Sequence, residues 1–149
     1  MWARPTRRRA TIRAPPGWQA SDARRVIVPT GGRRGHDTLR ARLLGSLCRT
    51  GHREVTFLRV VPTAATDEIA TRMGREVERQ AREEVRGRPT TRVIRSDDVP
   101  AVILEHAAEC DLIVLGLQRF SRRRKLFGEL ALRIARDTPC AIIMISRRG

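Results

Sequence analysis

The feature that most constrains this chain is a repeated switch of hydrophobic period. Short runs of consecutive apolar residues alternate with longer stretches in which apolar residues recur every three or four positions. Val26, Ile27 and Val28 form a β-branched run that stops at Pro29-Thr30-Gly31-Gly32, the signature of a strand ending in a Gly-rich loop. Leu39, Leu43, Leu44 and Leu47 then follow at helical spacing until Gly51. Residues 55–61 are a second strand closed by Pro62, and residues 67–86 a long helix with Ile69, Met73, Val77, Ala81 and Val85 on one narrow stripe. A third strand at 91–95 precedes a helix that Asp97 or Asp98 can cap, with Pro100 in its first turn and Ala101, Leu104, Ala107 and Ala108 on its buried side. Residues 112–115 are a fourth strand, 116–127 a basic loop, 128–137 a helix and 140–145 the last strand. Strands that are apolar throughout are covered on both faces, and right-handed crossovers place helices there. The pattern predicts an α/β fold: a doubly wound, five-stranded parallel sheet.

Composition narrows the reading further. At 149 residues the chain has one domain's worth of core, and no apolar run approaches the roughly 18 residues of a membrane span. Residues 1–23 are rich in arginine, hold Asp22 as their only acid and carry Pro5, Pro15, Pro16 and Gly17, so they read as a flexible basic arm before a domain at 24–149. The arm has no apolar block of secretory type, and Cys48, Cys110 and Cys140 lack disulfide or zinc spacing. These features predict a cytoplasmic protein with reduced core cysteines, membrane-associated only through a partner or the arm. His36, His52 and His106 share no ligand spacing, so no metal is expected. Lysine plus arginine number 31 against 16 acids, a charge of +15 that attracts nucleic acid nonspecifically. Base-stacking platforms are missing, however: there is no tyrosine, and both tryptophans, Trp2 and Trp18, lie in the arm. Specific nucleic-acid recognition is not expected.

Ligands of doubly wound folds bind beyond the carboxyl ends of the strands, where the strand order reverses. Two segments fall at that edge. The first holds Thr30, Gly31 and Gly32; the second runs from Gly116 to Gly128 and holds Arg119, Arg122, Arg123, Arg124 and Lys125. Guanidinium forks and free N–H groups at a helix start both suit phosphate, while the plainer reading of the same residues is a solvated charge run. Neither segment has P-loop or GxGxxG spacing, and no nucleophile, zinc or acid/base motif is present.

The order of elements, with Asp-Leu-Ile-Val-Leu-Gly-Leu at 111–117, Phe127-Gly128-Glu129 and Thr138-Pro139-Cys140 before the last strand, resembles the universal stress protein family. The wording around Gly128 looks like the domains of that family appended to prokaryotic amino-acid permeases and cation transporters. The resemblance implies strand order 3-2-1-4-5, a site for ATP or another adenine nucleotide, Val60 and Val61 beside the adenine, and a homodimer through the last strand at 141–145. The chain departs from the ATP-binding pattern in having Pro29-Thr30 where an Asp is usual, Arg119 in place of a glycine, Gly128 one residue early and Glu129 in place of a hydroxyl residue. The resulting expectation is a noncatalytic regulatory, stress-response-type domain with a degenerate nucleotide site. Two alternatives stand beside it: a ligand-free docking or assembly module for a membrane transporter, and an enzyme of the nucleotide α-hydrolase group, for which Thr30-Gly31-Gly32 would be a distorted Ser-Gly-Gly loop.

Overall fold

The run at 26–28 lies at the centre of the sheet, each of its three side chains at most 1% exposed. It belongs to β2 (Arg25–Thr30) in a computed structural model that describes residues 8–31, 38–117 and 124–147. Around it β3 (Glu54–Val61), β4 (Thr90–Arg95), β5 (Leu112–Leu117) and β6 (Ala141–Arg147) run parallel in the order β6-β5-β2-β3-β4, the order expected above. Four helices connect them: α1 (Thr38–Arg49), α2 (Asp67–Glu84), α3 (Val99–Ala107) and α4 (Arg124–Asp137).

Alternate strand residues face opposite sides of the sheet, which divides the core in two. Val26, Val28, Phe57, Leu112 and Val114 meet Leu44 and Leu47 of α1 and Val77 and Ala81 of α2. Ile27, Leu58, Ile113 and Ile142 meet Val102 and Ile103 of α3 and Ile134 of α4. The face of α3 is rotated from the expected one: the bulky Val102 and Ile103 go inward with Ala107, and Ala108 is exposed. Local chemistry sets the helix starts. Thr66 Oγ1 accepts from Ile69 N at 3.2 Å ahead of Asp67 and Glu68, and Asp98 Oδ1 accepts from Ala101 N at 3.1 Å.

The sheet has a sixth strand where the sequence predicts only a flexible arm. β1 (Arg8–Arg13) pairs antiparallel with β6, from Arg8 opposite Arg147 to Arg13 opposite Ile142. The edge of β6, expected to be bare in a monomer, is therefore covered by the chain's own backbone, which satisfies the donors and acceptors an edge strand would leave open. The path back to β2 turns at Pro15-Pro16-Gly17-Trp18, where Trp18 N donates to Pro15 O at 3.1 Å and Gly17 takes φ +80. Only glycine adopts that angle cheaply in a type II turn. Trp18 then packs on the first core, which also takes in Ala23. Among the described residues no helix is long and apolar enough to cross a membrane.

Candidate functional site

The strand order reverses between β2 and β5, and there the ladder is cut short. Only Val26 with Leu112 and Ile27 with Ile113 are paired, whereas β2 with β3 and β5 with β6 each register six pairs. Residues 28–30 and 114–117 continue toward their carboxyl ends with no ladder between them. A crevice at this switch point is where an open α/β sheet takes a ligand.

Residue parity assigns the side chains at the crevice to faces. Thr30 follows Val26 and Val28, and Gly116 follows Leu112 and Val114, so both lie on the α1/α2 face. Thr30 Oγ1 donates to Leu58 O at 3.3 Å, which commits the hydroxyl to β3. Gly31 is exposed, its φ is not positive, and a Cβ there would meet nothing within 4 Å. A Cβ on Gly116 would lie 3.3 Å from Arg40 Nη1, so the glycine makes room for a buried guanidinium. Arg40 forms a two-pronged ion pair with Glu84, Nε to Oε1 at 2.9 Å and Nη2 to Oε2 at 2.8 Å. The side chains of Val60 and Val61 point to opposite faces of the sheet. Val61 is 2% exposed, whereas Val60 packs on the second core.

The helix expected from Gly128 starts four residues earlier. Arg124 opens α4 and Gly128 lies inside it, so the N–H groups without intrahelical partners are those of Arg124, Lys125, Leu126 and Phe127. Gly32, Arg119, Arg122 and Arg123 lie outside the described residues. Sequence reasoning passed over two cations. Arg59 is the half-buried cross-strand neighbour of Thr30 on the same face and has no ion-pair partner among the described residues, and Arg40 touches the Gly116 position. The signal for Arg59 was present, as one of two polar positions in an otherwise apolar strand.

Two further features lie outside the crevice. Thr63 N and Oγ1 both donate to Asp97, at 3.1 and 2.6 Å, tying the connection after β3 to the one after β4. The hydroxyl first, and the backbone N–H second, hold the Asp97 carboxyl below its ordinary value of 3.8. At the other edge of the sheet, Cys140 Sγ donates to Cys110 O at 2.6 Å and to Ala107 O at 3.1 Å. Burial, and then the neighbouring Cys140, push the Cys110 thiol up to about 11. All three cysteines are free, and these two have the character of inert packing groups. Among the described residues no three His, Cys, Asp or Glu side chains gather as metal ligands.

The model of the universal stress protein family matches residues 23–146. The chain belongs to the universal stress protein family. Several solved members share its fold at low identity. A universal stress protein in complex with cAMP superposes with TM-score 0.62 at 17% identity over 85% of this chain and 99% of its own. The universal stress protein from Archaeoglobus fulgidus in complex with dAMP gives TM-score 0.56 at 14% identity, covering 84% and 99%. A member from Burkholderia pseudomallei gives 0.57 at 17%, covering 83% and 96%. No curated protein sequence matches this chain.

Proposed function

We propose that this universal stress protein domain binds an adenine nucleotide in the β2–β5 crevice, without turning it over, and passes the bound state to a partner. The observation that carries the reading is the ladder that stops after two pairs at the point where the strand order reverses. The cAMP and dAMP complexes of similar structures support adenine as the base. Gly31, exposed at the end of β2 with nothing within 4 Å of a Cβ position, leaves open space there for a ligand. The first-turn N–H groups of α4, with Arg124, Lys125 and the arginines at 119, 122 and 123, would receive phosphate. Arg59, beside Thr30, would add a cation on the opposite wall.

Calorimetric titration of the dialysed protein with ATP, cAMP and dAMP tests this, with and without magnesium and at about 0.1 and 0.5 M salt to separate pocket binding from screening. Saturable binding of one nucleotide per chain that survives high salt, with no release of phosphate or pyrophosphate, is the expected result. Binding that vanishes with salt would refute it and leave a docking module, such as one for a membrane transporter. Phosphate or pyrophosphate release would instead favour the hydrolase alternative.

A further inference from the structure

The edge of the sheet opposite the crevice holds a second concentration of cations. Ser21 of the 3-10 turn at Ala20–Asp22, Arg24 and Arg25 at the start of β2, Thr50 after α1, and His52, Arg53 and Glu54 leading into β3 surround an open cleft of about 580 Å³. That volume lies in the range of small-molecule sites. Its charges do not balance internally. The Arg24 guanidinium has no partner among the described residues, and the ion pair of Arg25 is an exposed 3.8 Å contact with Glu54, the only carboxylate in the lining. Arg53 Nε is buried without a hydrogen-bond partner, and its other nitrogens make long contacts of 3.3 to 3.5 Å with His52 O, Ala20 O and Thr50 Oγ1.

Two terms oppose an anion here. Arg53 serves partly as packing over the Gly51 turn, where a Cβ would lie 3.1 Å from its Nη1. The carboxyl end of α1 also brings partial negative charge to this edge. That charge is already answered in part, since Leu47 O accepts from both Thr50 N at 3.3 Å and Thr50 Oγ1 at 2.9 Å. Asp111, close by, spends Oδ2 on the backbone N–H groups of Arg24 and Arg25, at 3.1 and 2.9 Å. Three guanidinium groups, an imidazole and the Ser21 hydroxyl around one concavity remain a donor set matched to a tetrahedral oxyanion.

We propose that this cleft binds a small phosphate-bearing molecule, independently of the nucleotide crevice. No Phe, Tyr or Trp side chain lines it, so recognition rests chiefly on the phosphate. Amide NMR spectra of the full chain, titrated at fixed ionic strength with inorganic phosphate and with pyrophosphate, provide the test. Saturable shifts are expected at residues 21, 24, 25 and 50–54, with affinity on the order of millimolar. Arg24→Gln and Arg25→Gln change exposed side chains and leave the fold intact, and each should weaken binding roughly tenfold. Ser21→Ala, a separate variant, should weaken it less. A phosphomonoester that outcompetes inorganic phosphate at the same residues would support an organic ligand, and equal affinity would support free phosphate. Three results would overturn the proposal: shifts reproduced by sodium chloride, shifts confined to residues 116–128, or unchanged affinity in both arginine variants. A short single-stranded oligonucleotide that displaces pyrophosphate with affinity rising with its length would replace the small ligand by a polymer. Failure of the ATP titration leaves all these outcomes readable, because the two sites lie at opposite ends of the strands.

Discussion

Replacing Glu84 by Leu removes one side of the ion pair that joins α1 to α2. Both partners are deeply buried, with side-chain exposures of 7% for Arg40 and 0% for Glu84. Their geometry is two-pronged and short, so two charge-assisted hydrogen bonds disappear together and a guanidinium charge stays in the core. Breaking such a pair from one side costs about 3–5 kcal/mol. For a domain of this size about 2–4 °C of Tm accompanies each kcal/mol, so the midpoint should fall by roughly 6–20 °C. Arg40→Met together with Glu84→Leu removes both charges and should recover most of that loss, since apolar replacement of a whole buried pair is often neutral or better. Urea unfolding of the four proteins, followed by circular dichroism, gives the full double-mutant cycle. A Glu84→Leu cost below about 1 kcal/mol, or a double variant as unstable as the sum of the singles, would refute the reasoning that burial makes this pair strongly coupled.

The Thr63–Asp97 clasp makes stability depend on pH at the acid end. Because the folded carboxyl titrates below its ordinary value of 3.8, its contribution is present above that value and is lost as pH falls through the lower folded value. Asp97→Asn should therefore separate from the parent in Tm near neutral pH and converge with it in acid; a constant difference across that window would contradict the clasp. Deleting residues 1–13 strips β1 from β6 and exposes an edge with Ile142, Ile143 and Ile145 in it. Light scattering should show the shortened chain associating at micromolar concentrations, by pairing last strand to last strand as the family resemblance implies, and a monomer would argue that β6 needs no cover.

The parallel core was legible because the central strands are dense apolar runs and the helices carry their own period, so local pattern and global fold agree. β1 was not legible for the same reason in reverse. Among Arg7, Arg8, Arg9 and Arg13 only Ala10 and Ile12 are apolar, and Ile12 remains 60% exposed in the folded chain. What recruits the segment is the open hydrogen-bonding edge of β6, which no window around residue 10 contains. The early start of α4 was hidden by its charges, since Arg124 and Lys125 read as part of a basic loop although both are good helix formers. At the crevice, Thr30, Gly31 and Gly116 were legible as residues at strand ends. Arg40 and Glu84 stand at helical spacing on the same faces as Leu44 with Leu47 and Val77 with Ala81, but their charges hid them from an apolar pattern, and their pairing joins residues far apart in sequence.

The pairing of β1 with β6 also bears on how the protein is made. Of the six strands among the described residues, the first to leave the ribosome pairs with the last. The parallel core from β2 to β5 can assemble as it emerges, but β1 must wait until β6 is out before its backbone is satisfied. Pairing of that Arg-rich segment with β6 is therefore the step that completes the described sheet.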